Sequence, residues 1–233
     1  MIYLDFASGG SGLVELLLNF EGADGSKDII DESHNAFTKT AGTGATISTT
    51  RSKFGSSSLK ITTHGPDEIK FSGTAFRHDV GEPLAYEGWV YWASSQVFAG
   101  PMFFWHLLGA GNSTQVFNYI NSSNFKLDNG GVGDLIGHKA YPGNEWVHFR
   151  VQQTSNKDLW MRVNGQAFYT IADLGAGAGL AAGASGDMYV ASQNTTQGGT
   201  CEIYLDNFRF MRGYEYADVD FDVPTAAHSL TIP

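Results

Sequence analysis

The stretch WVHFRV at residues 146–151 alternates apolar and polar side chains with a period of two. Successive side chains of a β-strand point to opposite faces, so Val147, Phe149 and Val151 would share one face. The stretch therefore predicts a strand that packs one of its faces against a core.

The stretch LWMRVNG at residues 159–165 shows the same alternation and ends in Asn164 and Gly165. Asn-Gly is a preferred pair for the two-residue type I′ turn that joins antiparallel strands. We therefore predict a hairpin that continues into residues 166–171.

Strand-like segments separated by turn residues continue along the chain. Nearly continuous apolar runs at residues 88–92 and 102–108 are typical of strands that are covered on both faces. The whole pattern predicts an all-β protein, an antiparallel two-sheet β-sandwich formed by residues 13–213 as a single domain.

Both ends of the chain differ from this pattern. Residues 1–12 end in the run SGGSG, which is typical of a flexible joint, so we predict an N-terminal arm. Residues 214–233 contain Pro224 and Pro233, and we predict an extended C-terminal tail draped over the sandwich.

Composition excludes several classes of protein. A chain of 233 residues can bury a sizeable core without covalent cross-links. Its single cysteine, Cys201, excludes an intrachain disulfide framework and a cysteine-based zinc site. The formal net charge of −10 and the absence of any run of basic residues argue against a nucleic-acid partner.

Membrane and export features are also missing from the sequence pattern. No apolar run approaches the 18 or so residues that a membrane-spanning helix needs. The first residues lack both the basic and the apolar region of a signal peptide, so we expect neither a membrane partner nor Sec-type export.

Seven segments, taken together and in order, resemble the laminin-G-like, concanavalin A-like lectin-glucanase jelly rolls, particularly those of bacteriophage virion proteins. The segments are LLLNFEG at 16–22, SKFGSSSLKI at 52–61, GWVYW at 88–92, NEWVHFRV at 144–151, LWMRVNG at 159–165, IYLDNFRF at 203–210 and YADVDFDVPT at 216–225. The sequence departs from the family pattern at Asn207, where an acidic residue is usual. The resemblance implies the jelly-roll fold and says little about activity, because this fold carries many functions.

The function expected from this resemblance is structural. We predict a non-enzymatic bacteriophage virion protein, a capsid decoration or tail-associated subunit, made in the host cytoplasm and located in the virion. Its partners would be other virion subunits, and self-association into a homo-oligomer is expected for such a subunit.

Two other functions stay open. The first is a carbohydrate-binding module that recognises a bacterial surface polysaccharide. The second is a polysaccharide lyase or hydrolase with an unrecognised site. The acidic cluster DVDFD at residues 218–222 lies in the predicted tail rather than on a central strand, so we assign no catalytic residue.

The resemblance also implies a structural calcium ion held by Glu21 and Asp206, because hard cations prefer carboxylate and carbonyl oxygens. The alternative is that Asp206 caps a backbone turn or pairs with Arg209 or Arg212. No other cofactor is expected.

The polar face of the two central strands is a candidate glycan-binding patch. Aromatic rings can stack on sugars, and Arg or His can donate hydrogen bonds to hydroxyl groups. The alternative is that loops or another subunit cover this face, with Trp rings packed against Arg stems. The candidate residues are Trp146, His148, Arg150, Trp160 and Arg162.

Overall fold

A computed structural model shows how these segments fold. It describes residues 12–39, 45–63, 69–76, 81–93, 102–108, 114–121, 124–128, 139–140, 143–156, 158–171, 186–193, 200–217 and 219–231. The predicted arm, apart from Gly12, lies outside the described residues.

The described residues form fourteen β-strands and one short 3₁₀ turn at Thr74–Phe76. The strands are β1 (Leu13–Leu18), β2 (Ala45–Ser48), β3 (Ser58–Thr63), β4 (Ile69–Ser72), β5 (Leu84–Trp92), β6 (Met102–Leu108), β7 (Thr114–Asn121), β8 (Asn124–Asp128), β9 (Lys139–Ala140), β10 (Trp146–Gln153), β11 (Leu159–Val163), β12 (Gln166–Ile171), β13 (Asp187–Gln193) and β14 (Thr200–Arg212). Within these residues, no helix has the length and apolar character needed to cross a membrane.

The strands make two antiparallel sheets, which confirms the predicted all-β sandwich. The larger sheet has eight strands in the order β12-β11-β10-β5-β14-β3-β2, and β1 also pairs with β14. The smaller sheet has six strands in the order β4-β13-β6-β7-β8-β9.

The hairpin predicted from LWMRVNG is present between β11 and β12. Asn164 and Gly165 have φ values of 50° and 75°, the positive values that a type I′ turn requires. A side chain on Gly165 would also collide with the backbone oxygen of Phe221, which lies where its Cβ would be. The turn sequence therefore serves the hairpin and the packing of the tail.

The core lies between the two sheets. Val147, Phe149 and Val151 are fully buried there, as their alternation predicts. A Cβ on Gly88 would lie 3.3 Å from the Phe149 ring and the Phe208 backbone, so glycine allows close packing at the centre of β5.

Strand β14 organises the larger sheet. It pairs with β5 along one edge, and with β3 and then β1 along the other. Its register with β5 shifts between Asp206 and Arg209, where Asn207 has a φ of 49°. This bulge re-aims the side chains on either side of it.

The described part of the tail, residues 214–217 and 219–231, contains no strand and lies on the outer face of the larger sheet. Tyr214, Tyr216 and His228 are buried in this layer. The larger sheet is therefore covered on both faces near its centre.

Candidate functional site

The outer face of the larger sheet carries three rows of side chains, because in-register partners on neighbouring strands point the same way. The rows cross β10, β5 and β14. They are Trp146, Tyr91 and Tyr204; His148, Trp89 and Asp206; and Arg150, Glu87 and Arg209.

The third row is a buried ion network centred on Glu87, whose side chain has no exposed surface. Its carboxylate accepts hydrogen bonds from Arg150 Nε at 2.8 Å, Arg209 Nε at 2.7 Å and the Tyr216 hydroxyl at 2.9 Å. Burial alone would raise the pKa of Glu87, but Arg150 and Arg209 hold that pKa well below its usual value. Glu87 therefore stays ionised as the counter-charge to two guanidinium groups.

The tail closes over this network. The guanidinium of Arg150 lies between the rings of Tyr216 and Phe221, at 3.6 and 3.9 Å from their centroids. Arg209 donates a hydrogen bond to the Tyr216 hydroxyl at 2.8 Å and another to the carbonyl oxygen of Thr231 at 3.3 Å. The tail is thus fixed by charge-assisted hydrogen bonds and cation–π contacts.

The five residues predicted as a glycan patch do lie together on this face. Arg150 is the register partner of Arg162, and Trp160 is the partner of Gln152. His148, Arg150, Trp160 and Arg162 are nevertheless buried, with between 0% and 7% of their surface exposed. Trp146 alone among the five is only half-buried.

Four of the five candidate residues are therefore covered in this structure. The reason is the tail, whose Tyr216, Phe221 and His228 lie over the stripe, and whose Asp220 pairs with Arg162. Glycan binding by the five residues stays a prediction.

Glu87, His148 and His228 also place three potential metal-ligand atoms within 4.8 Å of one another. Burial lowers the pKa of His228 to about 3 and also lowers that of His148, against the pull of Glu87 in both cases. Both rings are therefore neutral and could act as ligands. However, Glu87 already faces two guanidinium groups, and this positive charge opposes a divalent cation, so we interpret the cluster as an ion network.

Glu21 and Asp206, the predicted calcium ligands, hold the same loop at residues 51–57. Asp206 Oδ2 accepts hydrogen bonds from the backbone N–H groups of Lys53 at 2.6 Å and Phe54 at 3.1 Å. The Glu21 carboxylate accepts hydrogen bonds from the backbone N–H and the hydroxyl of Ser56. The two acids therefore fix the two halves of one loop.

Asp206 also has an unused acceptor that fits a cation. Its Oδ1 atom is buried and has no hydrogen-bond partner among the described residues. Burial raises the pKa of Asp206 to about 7; backbone N–H donors oppose this rise and the charge of Glu21 adds to it. A desolvated carboxylate oxygen near a second carboxylate is the donor chemistry that calcium prefers.

The structure distinguishes between two alternative contacts of Asp206, an ion pair with Arg209 or Arg212 and hydrogen bonds to the backbone. Arg209 pairs with Glu87, and Arg212 pairs with Glu82, so Asp206 instead accepts backbone N–H groups. A calcium ion on Glu21 and Asp206 stays a proposal.

A second feature of the outer face was not predicted from the sequence. Arg51 Cζ lies 4.3 Å above the Tyr91 ring, and Lys53 Nζ lies 4.0 Å above the Trp89 ring. The rings of Tyr91 and Trp146 are neighbours, with centroids 5.7 Å apart. We call these five residues, Arg51, Lys53, Trp89, Tyr91 and Trp146, the cation–aromatic rim.

The rim brings together residues from three separate parts of the chain. The loop at residues 51–57 supplies the cations, while β5 and β10 supply the rings. Two segments noted in the sequence contribute to the rim, the aromatic run at residues 88–92 and the segment SKFGSSSLKI at residues 52–61. Neither segment indicates by itself that the two pack against each other.

No family model matches this sequence, and no curated protein matches it. The fold of this chain is similar to the folds of several solved structures. The chain is similar to the binding domain of Paraclostridial Mosquitocidal Protein 1, with a TM-score of 0.65 and 14% identity over 86% of this chain and 49% of that one.

Two further solved structures resemble the chain. One is the ligand-binding domain of botulinum neurotoxin serotype D in complex with N-acetylneuraminic acid, with a TM-score of 0.61 and 10% identity over 91% of this chain and 48% of that one. The other is the cellulose induced protein Cip1, with a TM-score of 0.58 and 14% identity over 84% of this chain and 96% of that one. The chain spans about half the length of the two toxin domains. Because the identities are low, these structures show the class of fold, a β-sandwich.

Proposed function

We propose that this chain is a non-catalytic carbohydrate-binding module. The observation that carries the proposal is the cation–aromatic rim, where the half-buried ring of Trp146 lies beside Tyr91, and the exposed side chain of Arg51 lies over the Tyr91 ring. Sugars offer an apolar face to an aromatic ring and hydroxyl groups to nearby donors. Trp146 supplies the ring, and Arg51 supplies the donors.

The likeness of fold supports the same class of function. One similar structure is a ligand-binding domain in complex with N-acetylneuraminic acid, and another is described as a binding domain. The target that we propose is a bacterial surface polysaccharide. The virion location, the virion partners, the homo-oligomer and the absence of enzyme activity remain predictions from the sequence.

Retention of the protein on immobilised polysaccharides tests the proposal. We expect the wild-type protein to be retained by at least one bacterial surface polysaccharide, and Trp146→Ala to lose roughly tenfold or more in affinity, the weight of a well-packed aromatic contact. Circular dichroism would verify that the variant is folded.

The matched control is Tyr189→Ala. Tyr189 is also half-buried and also has a lysine, Lys70, over its ring, but it lies on β13 of the smaller sheet. If Tyr189→Ala abolished retention and Trp146→Ala did not, the ligand would bind the opposite sheet. If no polysaccharide retained the wild-type protein, the proposed function would be wrong.

A further inference from the structure

We infer that the cation–aromatic rim binds an acidic saccharide, one that carries a carboxylate or sulfate group, through Arg51 and Lys53. This inference rests on the proposed function and adds the chemical class of the ligand.

Most cations in the described part of the chain already have a carboxylate partner. Arg150 and Arg209 share Glu87, Arg212 pairs with Glu82, and Arg162 pairs with Asp220. Two lysines whose side chains the structure describes follow the same rule, since Lys60 pairs with Glu202 at 3.0 Å and Lys70 pairs with Asp187 at 2.7 Å.

Arg51 and Lys53 differ from this set. Among the described residues, neither side chain has a carboxylate within ion-pair distance, and each instead lies over an aromatic ring. The chain has a net charge of −10, with 24 acidic residues available against 14 basic ones. The charge of Arg51 also acts on Glu202, but Glu202 forms its ion pair with Lys60. Two cations on one loop without an ion-pair partner, in so acidic a protein, point to an anion that comes from outside.

The guanidinium of Arg51 favours recognition of an anion that offers two oxygens. Its N–H groups lie in one plane, where they can meet a carboxylate or sulfate with two parallel hydrogen bonds. Arg51 is exposed, so these donors are accessible. Lys53 adds a second positive charge above the neighbouring ring of Trp89.

The loop that carries both cations is fixed in place before any ligand arrives. Asp206 holds the backbone of Lys53 and Phe54, and Glu21 holds Ser56. Pre-organised donors lose less conformational entropy on binding, which favours affinity. Trp146 lies on β10, whereas the loop leads into β3 on the other side of β5 and Tyr91. Trp146 offers a ring for the sugar itself.

Three carboxylates near the rim are already engaged. Asp206 and Glu21 accept hydrogen bonds from the loop that carries both cations. Glu202 pairs with Lys60 and accepts a hydrogen bond from the Tyr204 hydroxyl at 2.8 Å. These carboxylates therefore repel an incoming anion less than free carboxylates would.

The experiment compares each acidic polysaccharide with a neutral form of the same backbone. The probes are polygalacturonate and hyaluronan with their carboxyl-reduced derivatives, together with heparin and desulfated heparin. Isothermal titration at two salt concentrations should show roughly tenfold or stronger binding of one acidic form over its neutral form, and the preference should weaken with salt.

Arg51→Gln should remove most of this preference for the acidic form. Arg51→Lys should retain only part of the preference, because lysine lacks the planar pair of donors. The matched control is Lys70→Gln, which removes a cation of the smaller sheet that already pairs with Asp187. An equal loss in Lys70→Gln would mean unspecific charge attraction and would overturn the inference.

The two proposals fail in different ways. If the wild-type protein bound acidic and neutral forms equally, and Trp146→Ala weakened both, the carbohydrate-binding function would stand and the acidic ligand would be wrong. If no saccharide bound, the proposed function itself would fail.

Discussion

Glu87 is a buried carboxylate that faces two guanidinium groups, Arg150 and Arg209. Its negative charge offsets the free-energy cost of burying both arginines, because a buried charge without a partner destabilises the fold strongly. The hydroxyl of Tyr216 completes its set of donors and connects the sheet to the tail.

At the scale of this residue, we predict that Glu87→Gln lowers the free energy of unfolding by about 3–5 kcal/mol, because it leaves buried cations without a counter-charge. Denaturant unfolding measures the change. The control is Glu82→Gln, which breaks the partly exposed pair with Arg212 and should cost less than about 1 kcal/mol. Equal losses in the two variants would contradict the role of burial.

The sequence located this network only in part. The alternation of WVHFRV put His148 and Arg150 on the polar face correctly, because strand geometry fixes that face. It could not show that Glu87 is the partner of Arg150, since the register of β5 against β10 depends on the folded sheet.

The loop at residues 51–57 is the element on which the candidate site depends. It joins β2 to β3, carries Arg51 and Lys53, and is held by Asp206 from the bulge in β14. Gly55 has a φ of 60°, and a Cβ there would collide with the Glu21 carboxylate, so the loop needs glycine at this point.

At the scale of this element, we predict that calcium raises the melting temperature and that Asp206→Asn abolishes the rise. Since the pKa of Asp206 is raised to about 7, protons compete with calcium, so the effect should grow from pH 6 to pH 8. Differential scanning calorimetry with calcium and with EDTA measures it. No difference between the two conditions would remove the calcium proposal.

Residues Glu21 and Asp206 were named from the resemblance alone, and the structure brings both to one loop. Their shared contact could not be derived from spacing, because 184 positions separate them along the chain. The loop that they hold is defined by the way β1, β3 and β14 come together.

On the scale of the whole molecule, the tail and the larger sheet form one covered layer around two neutral histidines. His228 faces Glu87, Arg209, His148 and Arg150, and burial lowers its pKa from 6.5 to about 3. His148 shifts in the same direction. At these two histidines, the unfolded chain therefore binds more protons than the folded chain below about pH 6.5.

We predict that the free energy of unfolding falls as pH drops from about 6.5 towards 3. Glu87, whose pKa is lowered, adds to the fall below its ordinary pKa of 4.5. Asp206 acts in the opposite direction, since its raised pKa makes the fold less stable as pH rises from 3.8 to about 7.

His228→Gln isolates the histidine contribution. Denaturant titrations between pH 4 and pH 7 should give a shallower slope for this variant than for the wild-type protein. His34→Gln, which removes a half-exposed histidine outside this layer, is the control. An unaltered slope in His228→Gln would contradict the prediction.

The sequence by itself determined the strands, the Asn-Gly hairpin and the two faces of β10 and β11, because these depend on local alternation and turn geometry. The segment order also indicated the class of sandwich. Only the tertiary structure decided which of the polar side chains reach the surface. The tail covers His148 and Trp160, while a loop about 40 residues away from Tyr91 places Arg51 over its ring. Both outcomes depend on packing between distant segments, which a local pattern does not encode.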